Sequence, residues 1–341
     1  MSIYLNNPWH PQQHSVIKED SLKETIHQKG FDIQAFLSDD QLADLMAVFN
    51  EHHSWDEDKG GMFYSVYSRD LAYRKEIHEK IGAVLAPLLA KHFQNYKVMI
   101  NSFVVKLSGP ESEFYLHQDT TGLDEHKFSP LNLWIPLVDV DEEKGCLGVI
   151  EKSHHFFTPY RSISFPAPFD HIQSTVKQYL QPVRMKAGEA LIFDNRVLHH
   201  SYKNLSGKTR VAVVCGLFPK EAELITCHKS EYKCGGEVEL IAHDDDFLLK
   251  HPKFLIDCQD RPGTGHSLGF VEDPYEPITV ETFETLSANY GLEKNNMKQE
   301  VGATQCNLIG EPVEANVEQR EDAAVRKGVF GRLFDRIKLM I

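Results

Sequence analysis

Several features that define other protein classes are missing from this sequence. No apolar run approaches the roughly 18 residues that a membrane-spanning helix needs. The N-terminus has no basic segment followed by an apolar core, so no secretion signal is expected. Basic residues number only 36 against 50 acidic ones, and the formal net charge of −14 would repel a phosphate backbone. We therefore expect a cytoplasmic protein with no integral membrane association and no nucleic-acid partner.

Cysteine is also scarce, with six residues among 341 and no CxxC spacing. Reduced, mostly buried thiols are the ordinary interpretation of such a distribution. Cys227, His228 and Cys234 offer a partial zinc set, but no fourth ligand stands at a suitable spacing. A structural zinc site there is the weaker alternative.

Residues 20–100 are predicted to be mainly helical. Residues 37–52 begin with a Ser-Asp start signal and repeat apolar residues at helical spacing, and residues 74–93 repeat that pattern. Between them, Gly60-Gly61 breaks the period near Tyr64 and Tyr67. This segment is either a loop that covers a substrate or a plain connection between two helices.

From residue 97 onward the pattern changes to short apolar runs and alternation, with Gly, Pro, Asn and Asp between them. No long helices intervene, so the strands should pair antiparallel and form a sandwich or jelly-roll barrel. The predicted fold is mainly β, a double-stranded β-helix of the jelly-roll or cupin type with N-terminal helices packed on it.

The organisation along the chain is predicted in four parts. Residues 1–220 form the jelly-roll domain with its helical scaffold, and 221–290 form an extension packed on the core. Residues 291–325 read as a polar linker. Residues 326–341 read as a basic amphipathic helix. We expect it to pack on the acidic body or to make a homodimer contact, with a position on a membrane surface as the weaker alternative.

A histidine and an aspartate stand two positions apart at the end of one strand pattern, as His117 and Asp119. Residues i and i+2 of a strand point to the same face, so both side chains would enter the barrel together. A second pair, His243 and Asp245, lies in a highly charged stretch with no strand pattern. The first pair is therefore the better candidate for a metal site.

A third ligand is available far downstream, where His199 or His200 lies on a strand that an antiparallel fold can bring beside the first. Two histidines and one carboxylate on one side of an ion, with open positions opposite, suit non-heme Fe(II) that activates oxygen. Arg210 stands eleven positions after His199, at the start of an apolar strand. Its planar fork can pair with the far carboxylate of 2-oxoglutarate.

These motifs resemble the phytanoyl-CoA dioxygenase family of Fe(II)/2-oxoglutarate oxygenases. The resemblance covers about residues 30–220 and rests on "HQD", "NLWIPLVDVDEEKGCLGVIEKSH" and "GEALIFDNRVLHHSYKNLSGKTR". It differs at two turns, where "EKSHH" replaces Pro-Gly-Ser-His and Gly-Glu replaces Gly-Asp. Both positions are turns, so these departures affect loop shape and not the chemistry.

The resemblance implies a role for seven residues. His117, Asp119 and His199 would be the metal ligands and catalytic residues, since the family's His-x-Ser-x-x-Asn pattern starts at His199. Ser201 and Arg210 would hold the cosubstrate carboxylate. The remaining two positions are Trp134, which would line the site or simply pack in the core, and Asn101, which would contact the cosubstrate.

The predicted function is that of an Fe(II)-dependent dioxygenase that uses 2-oxoglutarate and O2 as cosubstrates. It would hydroxylate or otherwise oxidise a small molecule, such as a polar metabolite or a natural-product intermediate. Related halogenases lack the carboxylate that Asp119 provides, which favours hydroxylation. Two alternatives stay open: a zinc hydrolase that uses the same three ligands, and a non-catalytic jelly-roll binding module.

Overall fold

The structure of the chain is a computed structural model that describes residues 14–53, 61–156, 160–251 and 260–295. It divides into two units, Met1–Lys294 and Asn295–Ile341. The predicted amphipathic helix at 326–341 lies outside the described residues, as does most of the predicted linker at 291–325. Within the described residues, no helix is both long and apolar enough to pass through a bilayer.

Three antiparallel sheets make up the β-structure of the described residues. A six-stranded sheet has the order β1-β8-β5-β10-β3-β2, a four-stranded sheet has the order β4-β9-β6-β7, and a three-stranded sheet has the order β11-β12-β13. The strands are β1 Phe31–Ala35, β2 Met62–Tyr64, β3 Tyr96–Lys106, β4 Phe114–His117, β5 Leu131–Pro136, β6 Leu147–Val149, β7 Gln181–Val183, β8 Glu189–Asp194, β9 His199–Ser201, β10 Arg210–Pro219, β11 Leu224–His228, β12 Gly236–His243 and β13 His266–Asp273.

The helices are α1 Asp20–Lys29, α2 Asp39–His52, α3 Leu71–His92, α4 Gln173–Val176, α5 Phe247–Lys250 and α6 Val280–Asn289. Helix α2 starts where the sequence predicts, because Ser38 and Gln41 form a reciprocal capping box. In α3, the Asp70 carboxylate caps the first turn. The buried stripe of α3 consists of Ile77, Ile81, Leu85 and Leu89.

Strand alternation gives the six-stranded sheet two different faces. On β5, Leu133 and Ile135 face the helices, whereas Asn132 and Trp134 face the interior between the sheets. On β10, the same alternation sends Val211 to the helices. The helix-facing core includes buried residues of α1, α2 and α3, so these helices cover one face of the sheet, as predicted.

The other face of the six-stranded sheet packs against the four-stranded sheet. Trp134 and Leu191 of the first sheet share an apolar cluster with Leu147, Val149 and Val183 of the second. Two antiparallel sheets that enclose a core in this way form a jelly roll. The predicted fold class is confirmed.

Residues after 220 contribute the three-stranded sheet together with α5 and α6. The three-stranded sheet, α5 and α6 belong to the same compact unit as the jelly roll. Leu224 and Thr226 of β11 and Leu248 of α5 also line the cavity described below. A domain boundary at residue 220 stays a prediction.

Candidate active site

The first two candidate ligands lie where β4 ends. His117 is the last residue of β4, and it pairs directly opposite His199, the first residue of β9. The two imidazole rings have centroids 4.2 Å apart. Asp119 follows β4, and its backbone N–H donates to the carbonyl oxygen of Asn195 at 3.0 Å. Residues separated by about 80 positions are thus brought together by one strand pair.

The three side chains present their ligand atoms to one point. Asp119 Oδ1 lies 3.6 Å from His117 Nε2 and 3.9 Å from His199 Nε2. Ligand atoms of all three residues lie within 4.8 Å of one another, and no other group of three such side chains meets this spacing in the described part of the chain. Cys227, His228 and Cys234 therefore do not form a metal group.

Backbone carbonyls fix the tautomer of both histidines. His117 Nδ1 donates to the carbonyl oxygen of Tyr115 at 3.0 Å, and His199 Nδ1 donates to that of Val197 at 2.9 Å. A carbonyl oxygen only accepts, so each Nδ1 carries the proton and each Nε2 presents its lone pair. This arrangement orients both rings for a metal before any ion arrives.

The charge states of the ligands also suit a cation. Burial, together with the nearby His117, lowers the pKa of His199 to about 4, so that its imidazole is neutral at pH 7. Burial alone would raise the pKa of Asp119, but His199, His117 and the amide of Asn132 outweigh it and lower that pKa. Asn132 Nδ2 donates to Asp119 Oδ2 at 2.7 Å, which leaves Oδ1 for the ion.

His200, the alternative third ligand, also lines the cavity but does not point at the metal group. Its Nε2 is 3.7 Å from Glu113 Oε1, and it is not part of the group formed with His117 and Asp119. Adjacent residues on a strand point to opposite faces, which separates the two neighbouring rings. The geometry therefore favours His199.

Arg210 is the first residue of β10, and its side chain is buried at 1% exposure. None of its three guanidinium nitrogens has a hydrogen-bond partner among the described residues. Burial lowers its pKa to about 10, which still leaves it a cation at pH 7. A buried charge without an anion is costly, so this side chain fits a ligand carboxylate.

Two predicted neighbours of Arg210 also lie in the cavity. The Ser201 hydroxyl is buried and has no partner among the described residues, so it is free to join Arg210 in binding a carboxylate. The Trp134 ring lies 5.2 Å from the Arg210 guanidinium carbon. Trp134 both lines the cavity and packs in the core, so the two alternatives for this residue hold together.

Asn101 is not among the residues that line this cavity, and its contact with the cosubstrate stays a prediction. This residue lies on the helix-facing side of β3, where its Nδ2 donates to the carbonyl oxygen of His78 at 3.1 Å. Its neighbour Ser102 faces the cavity instead. The Asn101 side chain therefore points toward α3 and away from the cavity.

The cavity that contains these groups has a volume of about 230 Å³. Tyr64 and Tyr67 line it, which supports their interpretation as part of a substrate-covering segment. Sequence reasoning missed Asn132 and Asn195, which also line it. Asn132 is two positions before Trp134 on β5 and faces the same side, so strand alternation could have predicted it. Asn195 lies in a turn, where no sequence pattern indicates which way a side chain points.

Two histidines, one carboxylate and a buried unpaired arginine in a jelly-roll cavity define a site of the non-heme iron oxygenase type. The model of the family described as phytanoyl-CoA dioxygenase (PhyH) matches residues 26–212. The chain belongs to this family, whose members use Fe(II), 2-oxoglutarate and O2, and the predicted family and cofactors are confirmed.

Curated relatives carry the same family name. Phytanoyl-CoA dioxygenase 1 of Oryza sativa subsp. japonica is 29% identical over 137 residues, which are 39% of this chain and 48% of that protein. Phytanoyl-CoA dioxygenase of Arabidopsis thaliana is 31% identical over 155 residues, 44% of this chain and 53% of that protein. The chain spans about half the length of the curated relatives it matches.

Two solved structures match this chain at low sequence identity. The alpha-ketoglutarate-dependent carbocyclase SnoK is 19% identical with a TM-score of 0.44, over 64% of this chain and 90% of that chain. HygX of Streptomyces hygroscopicus, solved with nickel, 2-oxoglutarate and hygromycin B, is 12% identical with a TM-score of 0.42, over 60% and 88%.

Proposed function

We propose that this chain is an Fe(II)- and 2-oxoglutarate-dependent dioxygenase that hydroxylates a small molecule. The observation that carries the proposal is the presence, in one cavity, of the His117, Asp119 and His199 group and the unpaired cation of Arg210. The bound iron and cosubstrate would supply the oxidation of a C–H bond by O2, with succinate and CO2 as co-products.

The chain's own residues would bind and orient these groups. His117 and His199 would offer neutral Nε2 atoms, and Asp119 would offer the oxygen that Asn132 leaves free. Arg210 would meet the far carboxylate of 2-oxoglutarate as a planar, two-pronged donor. All three metal-site side chains are partly accessible from the cavity, with exposures of 17%, 26% and 9% for His117, Asp119 and His199.

The alternatives account for fewer of these features. A zinc hydrolase would use the same three ligands, but it would leave a buried guanidinium without an anion. A non-catalytic binding module would have no need for two histidines fixed in the tautomer that exposes Nε2. Hydroxylation is favoured over halogenation because Asp119 supplies the third ligand.

A cytoplasmic location is part of the proposal and is supported by cysteine chemistry. The described cysteines are all free, and burial raises the pKa of the Cys146 and Cys215 thiols to about 12. Such thiols are protonated and unreactive at neutral pH, as expected where disulfides are not needed.

The test is an anaerobic titration with Fe(II) followed by 2-oxoglutarate, and then succinate release on exposure to O2. The purified protein should bind one iron, and the ternary complex should show the visible absorption of ferrous 2-oxoglutarate chelates. Asp119→Ala should abolish both signals. Asp245→Ala, which removes the carboxylate of the second His-x-Asp pair, is the matched control and should retain them. Turnover that needs zinc and no 2-oxoglutarate would replace this proposal with the hydrolase.

A further inference from the structure

The part of the cavity away from the metal ligands and Arg210 is largely apolar. Its walls come from β2, β3, β10, β11 and α5, so the six-stranded sheet and the three-stranded sheet both contribute. The apolar lining residues are Met62, Val66, Met99, Ile100, Val104, Val214, Phe218, Leu224 and Leu248. A ligand that fills this part gains from apolar contact and not from charge.

Three hydroxyl groups of the lining, those of Ser102, Thr121 and Thr226, are already engaged with the protein. Ser102 Oγ contacts Ser65 Oγ at 3.1 Å and accepts the backbone N–H of Val66 at 3.2 Å. Thr121 Oγ1 accepts the backbone N–H of Arg161 at 2.9 Å. Thr226 Oγ1 lies 2.8 Å from His243 Nε2. These groups shape the cavity and offer little to a ligand.

Free positive charge is also absent from the lining. Among the described residues that line the cavity, Arg210 is the sole lysine or arginine, and the proposed function assigns it to 2-oxoglutarate. Lys97 and Lys250, next to the wall formed by α5, are paired with Asp245 and Asp246. A phosphate or carboxylate on a second ligand would lose its water here without gaining a cation.

A buried hydrogen-bond acceptor without a donor lies beside the metal site. Asn195 is 7% exposed and lines the cavity, and its buried amide oxygen has no hydrogen-bond partner among the described residues. The backbone carbonyl of Asn195 accepts the N–H of Asp119, so Asn195 lies next to the residue that supplies the metal-site carboxylate. A buried acceptor without a donor is costly, and a ligand hydroxyl or N–H would satisfy it.

We propose that the primary substrate is a small, mainly apolar molecule without phosphate or carboxylate, and that a hydroxyl or N–H group of this molecule donates to the Asn195 side chain. The proposal rests on the proposed function, because it assigns Arg210 to the cosubstrate. Asn195 selects the substrate, since a site built around a hydrogen bond discriminates strongly against analogues that lack the donor. An acyl thioester whose phosphates enter the cavity does not fit these walls.

The experiment uses four probes with one skeleton: 3-phenylpropanol, propylbenzene, 3-phenylpropanoate and 3-phenylpropyl phosphate. The full chain is first loaded anaerobically with Fe(II) and 2-oxoglutarate, and each probe is then titrated while the visible absorption of the complex is followed. Failure of 2-oxoglutarate loading counts against the proposed function. The order of probe affinities, measured after loading, judges the substrate class.

We expect 3-phenylpropanol to bind about threefold to tenfold more tightly than propylbenzene, the range that one neutral hydrogen bond provides. The two anionic probes should bind at least tenfold more weakly than the alcohol. Tightest binding by an anionic probe, or no binding by either neutral probe, would overturn the proposal.

The Asn195→Leu variant should bring the ratio of alcohol to propylbenzene affinity close to one. If the Asn195→Leu protein does not fold, the same ratio is measured in Asn195→Ala. The matched control is Asn101→Ala, which removes an equally buried asparagine from the helix-facing side of β3 and should leave the ratio unchanged. An unchanged ratio in a loaded Asn195 variant would remove Asn195 from substrate recognition.

Discussion

Replacement of Arg210 by methionine should make the ligand-free protein more stable, although Arg210 is deeply buried. Burial lowers the pKa of this arginine from 12.5 to about 10, which corresponds to about 3 kcal/mol against the charged form in the folded state. The arginine is protonated in both the folded and unfolded states at pH 7, so this cost applies throughout the pH range below about 10. A methionine of similar length avoids the cost and retains apolar contact with Trp134.

The same substitution should remove the response to cosubstrate. A ligand that binds only the folded state adds about 2.7 kcal/mol at a concentration of 100 Kd. The wild type should gain this amount from 2-oxoglutarate in the presence of Mn(II), which replaces iron without oxygen chemistry. Arg210→Met should gain almost nothing, and Arg210→Lys should recover only part because an ammonium lacks the planar fork.

The assay is urea unfolding at pH 7 with Mn(II), with and without 2-oxoglutarate. Arg196→Met is the matched control, because Arg196 is equally buried but is paired with Asp194 through Nε at 2.8 Å and Nη2 at 2.6 Å. Removing one partner of a buried pair costs about 3 to 5 kcal/mol, so this variant should be destabilised. The reasoning would be refuted if Arg210→Met lost as much stability as Arg196→Met, or kept the full 2-oxoglutarate effect.

Three further predictions concern the metal site and the histidines. His199→Ala should lose Fe(II) binding in an anaerobic titration while His200→Ala keeps it, and the reverse result would exchange their roles. Asn132→Leu should weaken Fe(II) binding by about tenfold, because Asp119 loses the donor that orients it; unchanged affinity would show that the carboxylate needs no support. Burial, followed by the charge of Arg196, lowers the pKa of His155 to about 4, so its contribution to stability is complete above pH 6.5 and is lost as the pH falls toward 4. Urea unfolding between pH 7.5 and 5 should therefore show a smaller loss in His155→Gln than in wild type, whereas the exposed control His171→Gln should behave as wild type.

The sequence was sufficient to predict the sheet fold and the grouping of His117, Asp119 and His199. Strand residues two apart share a face, so His117 and Asp119 had to be considered together. Antiparallel pairing then allowed a distant strand to supply the third side chain. The choice between His199 and His200 rested on the family pattern, since both lie in one short strand.

Other parts of the site depend on contacts that no local pattern contains. Asn101 and Ser102 are adjacent polar residues on β3, and only the packing of α3 against that strand decides which one faces inward. The importance of Asn195 arises from a hydrogen bond across 76 positions to the backbone of Asp119. Periodicity describes which face a strand residue occupies, but it does not describe which turn will meet which strand end.

The hydrogen bond between the Asp119 N–H and the Asn195 carbonyl also has a thermodynamic consequence. It joins the backbone of Asp119, a proposed metal ligand, to Asn195, the residue proposed to bind the substrate. A displacement of either residue should therefore shift the other. If the substrate changes the affinity for iron by some factor, iron must change the affinity for the substrate by the same factor. Metal titrations with and without substrate would therefore measure the coupling free energy between the metal and substrate sites.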